Sequence, residues 1–119
     1  MEKTSKFTDL IVWQKAHQLV LDIYLATKSF PKEELYGLVS QLRRAAASIP
    51  ANISEGYKKR SSLDKIRFLN IAESSLEETK YFLILANDLK YTDSAKLLII
   101  SEEVGRLINA YIKGIEKNK

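Results

Sequence analysis

The spacing of apolar residues constrains the fold of this chain more than any other feature of its sequence. In four consecutive segments, apolar side chains recur at steps of three and four residues, which is the period of one face of an α-helix. The 119 residues include only four Gly and two Pro, so little turn-forming material is present for a fold of many short strands. We therefore predict an all-α fold.

Capping and helix-breaking residues divide the chain into four helices. We expect these helices at about residues 8–29, 33–57, 62–90 and 93–116. Pro50 lies inside the second helix and predicts a kink or a break there. The length suits one domain, and the three short connections favour antiparallel neighbours. The prediction is a single domain over residues 1–119, folded as an antiparallel up-down-up-down four-helix bundle.

The composition provides little for catalysis or metal binding. The chain has no cysteine and a single histidine, His17, which excludes thiolate metal sites, cysteine nucleophiles and histidine-rich metal centres. We identify no catalytic residue, metal ligand set or cofactor-binding motif, so we expect a protein that is not an enzyme and needs no cofactor. The polar residues 1–6 and the short apolar runs predict a cytoplasmic protein with no secretory signal and no membrane span.

The positive charge is concentrated in the second quarter of the chain. Nineteen Lys and Arg against fifteen Asp and Glu give a net charge of +4, and residues 31–60 alone, with six basic and three acidic residues, contribute +3. This concentration fits a surface that faces phosphate groups. It fits equally well the solvated surface of one helix and its loop, and charge alone leaves both interpretations open.

Polar residues interrupt the apolar seams that we predict on the second and third helices. The third-helix seam consists of Phe68, Ile71, Ser75, Glu78, Phe82, Leu85 and Leu89. A buried amide or carboxylate without a partner costs about 1–3 kcal/mol or more, so such groups should bond to one another. One role for them is to satisfy the carbonyl of Ala46, which Pro50 leaves without a donor. The expected hydrogen-bonded layer consists of Ser48, Asn52, Glu55, Ser75 and Glu78.

Two interpretations of this polar layer stay open. In the structural one, it fixes helix register, as a single buried Asn does in coiled coils. In the functional one, carboxylates from Glu55, Glu73, Glu77 and Glu78 form a site for acid–base chemistry or a metal. Di-metal bundles use Glu-x-x-His pairs, and His17 has no Glu three residues before it. We favour the structural interpretation.

Motifs of a known family run along nearly the whole chain. They include residues 7–16, 30–38 and 41–57, and residues 48–56 read Ser-Ile-Pro-x-Asn-Ile-x-Glu-Gly. With residues 68–72 and 75–78, the chain resembles the four helix bundle protein family, whose members include proteins encoded in intervening sequences of 23S ribosomal RNA genes. Ser74 and Thr79 depart from its pattern, which usually has Gly at the first of these positions and often Leu at the second.

The resemblance implies an antiparallel four-helix bundle that assembles into a ring-shaped homopentamer. It also implies similarity to the accessory protein of diversity-generating retroelements, a basic pentameric barrel thought to bind nucleic acid and a reverse transcriptase. The branch encoded in ribosomal intervening sequences has no established biochemical activity. Five copies would raise the charge of +4 per chain to about +20 on one particle, and repeated weak phosphate contacts gain from effective concentration.

We therefore expect a non-enzymatic homopentamer that binds RNA or DNA with little sequence preference. Tyr57 is the candidate for base stacking beside the basic residues. The alternative is a protein–protein interaction scaffold or adaptor with no nucleic-acid role, for which the support is the set of aromatic residues near helix ends: Trp13, Tyr36, Tyr57, Tyr81 and Tyr91. The expected nucleic-acid contacts are Arg43, Arg44, Lys58, Lys59, Arg60, Lys65 and Arg67.

Overall fold

The computed structural model describes residues 4–118 of the chain, and this range contains four α-helices and no strand. The all-α prediction is therefore confirmed, while residues 1–3 of the polar N-terminal segment and residue 119 lie outside the described range. The helices are α1 (Ile11–Thr27), α2 (Ser40–Lys58), α3 (Ser62–Asp88) and α4 (Ala95–Lys117). Together they form a body of 47 × 23 × 20 Å.

The segments that precede α1 and α2 differ from the predicted helix starts. Residues 8 and 9, predicted to open the first helix, belong instead to a separate 3-10 turn, Phe7–Asp9. Before α2 the chain makes a second 3-10 turn, Lys32–Glu34, and then a π-helical turn, Leu35–Val39. Within that π turn, Gly37 has a non-helical backbone with φ −111° and ψ −109°.

Pro50 does not break α2, which continues through it to Lys58. Proline removes one backbone donor from a helix, and here Pro50 is buried, so its apolar ring gains the free energy of burial in return. We expected a kink or a break at Pro50, and of these the break is wrong. The irregular backbone lies instead at Gly37, before α2 begins.

Local hydrogen bonds close the ends of α3 and α4. The Ser61 hydroxyl accepts from the Asp64 N–H at 3.1 Å and so caps the start of α3. At the start of α4, the Asp93 carboxylate accepts from the Ala95 N–H at 3.0 Å. The buried Ser94 hydroxyl donates to the Leu83 carbonyl at 2.7 Å and so ties the connection to α3.

The core-facing side of α3 differs from the seam that we predicted. Ile71 and Glu78, both assigned to that seam, are exposed. The core takes the positions that follow the predicted seam by one residue, a rotation of about 100° around the helix. With this face buried, the Glu78 carboxylate stays in water. The fold therefore avoids the free-energy cost of burying a charge. The buried positions of α3 are Leu69, Ala72, Leu76, Thr79, Leu83 and Ala86.

The four helices pack around this core with α2 against α3 as the most extensive pair. α1 contacts α2 and α4, and α4 also contacts α3. Along α2 and α3, Gly56 lies near Phe68, while Ser48 bonds to Ser75. Rising numbers on one helix thus meet falling numbers on the other, which is compatible with the expected antiparallel arrangement.

Candidate nucleic-acid interface

The predicted basic residues fall into two groups at opposite ends of α2. Arg43 and Arg44 lie in its first two turns, whereas Lys58 ends the helix. Arg44 and Lys58 are fourteen positions apart, which corresponds to about 21 Å of helix axis. The structure thus separates the arginine pair from the second group, which we call the connection cluster: Lys58, Lys59, Arg60, Lys65 and Arg67.

Cation–π contacts organise part of the connection cluster around Phe68. Lys59 Nζ lies 5.0 Å from the centroid of the Phe68 ring, and Arg67 Cζ lies 4.8 Å from it. Arg67 also contacts the Asp64 carboxylate at 3.6 Å. Lys58 and Arg60 are exposed, and neither they nor Lys59 form an ion pair within the described residues. These three cations can therefore meet an external anion without first losing a protein carboxylate.

Lys65 is committed to the end of α2. Its ammonium donates to the carbonyls of Tyr57 at 2.8 Å and Gly56 at 3.5 Å, where a positive charge suits the negative end of the helix dipole. Burial lowers the pKa of Lys65. Within the cluster, Lys65 therefore fixes the helix end and is the cation least free to move toward a phosphate.

Tyr57 is less accessible than its predicted stacking role requires. It is half-buried, and its hydroxyl shares a hydrogen bond of 2.9 Å with the Thr4 hydroxyl. Lys65 Nζ lies 5.6 Å from the centroid of its ring. These contacts hold the ring in the protein rather than presenting it to a base.

Arg43 and Arg44 have different environments although they are adjacent. Arg43 Nε donates to Thr27 Oγ1 at 2.8 Å, Nη2 donates to the Tyr24 carbonyl at 3.3 Å, and the guanidinium lies 4.5 Å from the centroid of the Tyr24 ring. Arg43 thus joins α2 to the end of α1. Arg44 is exposed and makes no ion pair among residues 4–118, so it is the freer of the two for a phosphate.

Three members of the expected polar layer are joined by hydrogen bonds. The hydroxyls of Ser48 and Ser75 are 2.8 Å apart, and Asn52 Nδ2 donates to Ser48 Oγ at 2.9 Å. Asn52 Nδ2 also donates to the Ser48 carbonyl at 2.8 Å, rather than to the Ala46 carbonyl that we expected.

The other two members are exposed carboxylates. Glu78 lines the same groove between α2 and α3 as Ser48 and Ser75. Glu55 instead lines a separate groove with Tyr57 and Lys58. Ser48, Asn52 and Ser75 are half-buried, whereas both carboxylates are exposed, so the expectation of a buried carboxylate is wrong.

The titratable groups with shifted pKa values serve structural contacts. The hydrogen bond to Glu34 raises the pKa of Tyr91. The hydrogen bond to Glu77 raises the pKa of Lys80, which also bonds to Glu102 on α4.

The His17 ring stacks on the Trp13 ring, with 4.9 Å between the two ring centroids. Over residues 4–118, no group of three or more His, Cys, Asp or Glu side chains is placed to hold a metal ion. No helix in this range is long and apolar enough to cross a membrane.

Sequence reasoning did not connect Tyr36 with the basic residues. We placed it among aromatic residues near helix ends, and the structure brings it beside Arg44, with which it lines two neighbouring grooves. Tyr36 is 92% exposed. The sequence signal for this site was a large aromatic residue directly before Gly37. The irregular backbone that exposes this residue has no simple sequence signature.

The fold and these surfaces define a class of protein: a small all-helical bundle with a basic connection at one end and an open polar groove along two helices. The chain belongs to the 23S rRNA-intervening sequence protein family, whose model matches residues 8–112, so the family resemblance is confirmed.

A solved structure from Bacteroides thetaiotaomicron, described as a protein of unknown function from the S23 ribosomal protein family, superposes with a TM-score of 0.79. It is 28% identical, over 87% of this chain and 99% of that one. A search among curated proteins finds no significant match.

Proposed function

We propose that this protein is a non-enzymatic, cytoplasmic homopentamer of antiparallel up-down-up-down bundles that binds RNA or other nucleic acid through its basic surfaces. The observation that carries the proposal is the connection cluster, in which Lys58, Lys59 and Arg60 make no ion pair within the described residues. Unpaired surface cations bind phosphate by releasing its condensed counterions. Membership of a family named for 23S rRNA intervening sequences is consistent with an RNA partner.

Assembly would make this modest charge effective. One chain carries +4, and five chains would carry about +20 and repeat the connection cluster around one particle. Because the expected contacts are to phosphate groups, affinity should depend steeply on salt and only weakly on sequence.

The test is binding of a labelled single-stranded RNA of mixed sequence, measured by fluorescence anisotropy over a range of salt concentrations. Replacing Lys58, Lys59 and Arg60 together by Gln should reduce the slope of log K against log salt by about two, since each lost phosphate contact removes about 0.7 on a single strand. The matched control replaces three exposed lysines remote from the connection cluster by Gln, namely Lys28, Lys90 and Lys96. It removes the same net charge and should leave the slope near that of the wild type.

Two results would contradict the proposal in different ways. If the wild type retains no RNA or DNA at about 50 mM salt, where phosphate binding is strong, nucleic-acid binding is rejected. If the wild type binds and both triple variants have the same slope, binding does not use the connection cluster.

A protein–protein scaffold is the second candidate, and exposed apolar side chains favour it. Leu25, Leu63 and Ile99 are each more than two-thirds exposed, and such residues concentrate at contacts between proteins when they are contiguous. Of the aromatic residues first considered for this role, Tyr36 and Tyr81 are exposed, while Trp13, Tyr57 and Tyr91 are half-buried. Co-purification of a defined protein by a particle that binds no nucleic acid would support this candidate over the first.

A further inference from the structure

A polar groove of about 510 Å³ opens between α2, α3 and the π-helical turn before α2. It lies at the arginine-pair end of α2, away from the connection cluster. Its lining combines an aromatic ring, a cation, a carboxylate and small hydroxyl groups, a mixture that apolar helix packing does not need. The lining residues that matter here are Tyr36, Gln41, Arg44, Ser48, Ser75 and Glu78.

The ring of Tyr36 is displayed on an ordered backbone. The preceding Glu34 carboxylate accepts from the Leu38 N–H at 3.2 Å through Oε1 and from the Tyr91 hydroxyl at 2.9 Å through Oε2. These bonds bracket Tyr36 and fix the turn that carries it. The ring of a 92% exposed residue on a fixed turn can stack on a planar ligand at little cost in backbone ordering.

The paired hydroxyls on the groove retain hydrogen-bonding capacity. Ser48 Oγ accepts from Asn52 Nδ2 and lies 2.8 Å from Ser75 Oγ. Whichever of the two hydroxyls donates within the pair, the other hydroxyl proton is not used there. The groove therefore offers a donor as well as acceptor lone pairs to a ligand.

The two charges of the groove are of opposite sign, and neither belongs to an ion pair within residues 4–118. Arg44 and Glu78 both line the groove. A guanidinium binds phosphate, whereas a carboxylate repels phosphate and accepts hydrogen bonds from amino groups such as N4 of cytosine. A ligand that matches both has a phosphate at one end and an amino-bearing base at the other.

We propose that this groove binds one unpaired nucleotide of a bound strand, with its base stacked on Tyr36, its amino edge on Glu78 and the serine hydroxyls, and its phosphate on Arg44. This inference rests on the proposed nucleic-acid function and adds a preference for bases with an exocyclic amino group. Cytosine and uracil test it most directly, because the two rings are similar in size but position 4 carries an amino group in one and a carbonyl oxygen in the other.

The experiment measures binding of labelled oligo-C and oligo-U RNA of about 12 nucleotides to the full-length protein at neutral pH. The wild type should bind oligo-C about fivefold or more tightly than oligo-U. Glu78→Gln should bring that ratio close to one. Glu116→Gln removes the same charge from an exposed position near the end of α4 and should keep the wild-type ratio.

The stacking contact has its own matched pair of variants. Tyr36→Ala should weaken oligo-C binding about fivefold or more, whereas Tyr81→Ala, at another exposed aromatic residue, should stay within about twofold of the wild type. The solution mass of each variant is measured in parallel. A Tyr36→Ala variant that keeps the wild-type mass and loses affinity supports the groove as a nucleotide site.

Three outcomes separate failure of this inference from failure of the proposed function. If neither RNA binds to the wild type, the proposed function fails and the groove proposal fails with it. If RNA binds but Tyr36→Ala and Tyr81→Ala behave alike, or if Glu78→Gln leaves the ratio unchanged, only the groove proposal is overturned. If Tyr36→Ala lowers the particle mass, the groove is an interface between copies of this chain, which also overturns it.

Discussion

At the residue scale, Lys90 ends α3 in a backbone conformation that usually belongs to glycine. Its φ is +64°. Its N–H donates to the Asn87 carbonyl at 3.0 Å, and the Tyr91 N–H donates to the Ala86 carbonyl at 2.9 Å, the two bonds of a Schellman motif. A residue with a Cβ costs about 1 kcal/mol more than glycine in this region. The contacts that follow it, including those of Tyr91 and Ser94, must therefore hold the chain in this turn.

Lys90→Gly is expected to raise the free energy of unfolding by about 0.5–1 kcal/mol, because it relieves the left-handed strain at some cost in chain entropy. Urea unfolding followed by circular dichroism measures the change. The matched control is Lys28→Gly, since Lys28 ends α1 with an ordinary right-handed backbone of φ −59° and should lose stability. Equal changes in the two variants would show that the Lys90 conformation carries no strain.

Residues with strong local preferences were predictable from the sequence. Ser61 caps α3 because a hydroxyl close to the first free N–H groups satisfies one of them, whatever the rest of the fold does. Lys90 gave no such signal, since a lysine in a left-handed turn is chosen by its surroundings. We predicted that Tyr57 stacks on a base only because it is aromatic. Its contacts with Thr4 and Lys65, which hold the ring in the protein, form only in the folded chain.

At the element scale, α2 and the start of α3 approach each other closely at Gly56. A Cβ at this position would lie 3.2 Å from the Lys65 carbonyl oxygen and 3.2 Å from Phe68 Cβ. Both contacts are tighter than ordinary van der Waals distance, and one partner is backbone that cannot rotate away. A side chain at this position would therefore push the two helices apart by a few tenths of an ångström.

Gly56→Ala is expected to lower the free energy of unfolding by about 1–2 kcal/mol, because overpacking outweighs the gain in helix propensity. Gly114→Ala is the control, since no atom lies within 4 Å of a Cβ built at Gly114 inside α4. It should be neutral or stabilise the protein by up to about 1 kcal/mol. Thermal or urea unfolding decides, and a stabilised Gly56→Ala variant would contradict the close contact.

A second link between elements joins the turn before α2 to the segment after α3. The Tyr91 hydroxyl donates to Glu34 Oε2 at 2.9 Å, and the Tyr91 ring lies 5.5 Å from the Phe30 ring. The hydrogen bond to Glu34, with smaller contributions from burial and from the charges of Glu34 and Glu33, raises the pKa of Tyr91. The folded protein therefore favours the neutral hydroxyl.

Because the folded-state pKa of Tyr91 is raised, its contribution to stability is complete below the ordinary tyrosine pKa of about 10 and disappears as pH rises through the raised value. Tyr91→Phe should be less stable than the wild type at neutral pH, and the difference should shrink above about pH 10. Urea unfolding at several pH values measures it. Tyr81→Phe, at an exposed position on α3, should follow the wild type throughout, and a pH-independent deficit in Tyr91→Phe would contradict the link.

At the scale of the whole molecule, the large apolar side chains that favour a protein–protein scaffold also suit contacts between copies in the proposed pentamer. Leu25 on α1, Leu63 on α3 and Ile99 on α4 are all strongly exposed. Contacts between copies would remove such groups from water, and burying each one would contribute about 1.5–3 kcal/mol. A ring in which each copy has two neighbours uses two different surface patches, and these exposed apolar residues lie on three different helices.

The pentamer is expected to have a solution mass of about 68 kDa, five times the 13.6 kDa of one chain. Light scattering coupled to size exclusion measures this mass. At least one of the variants Leu25→Glu, Leu63→Glu and Ile99→Glu should reduce it, because a charge in an apolar contact is costly. A monomeric wild type would reject the pentamer, and three variants of unchanged mass would show that assembly does not use these side chains.

The sequence by itself determined the four helices, because a run of apolar residues at helical spacing can bury one face in no other regular structure. The tertiary structure decided which face each helix buries. On α3, two stripes one residue apart both contain apolar residues, and the packing partners selected the stripe of Leu76 and Leu83, leaving Glu78 in water. The tertiary structure also placed Tyr36 and Arg44 on one groove with residues of α3. These outcomes depend on contacts between residues far apart in the chain, whereas helix formation depends on neighbours within one turn.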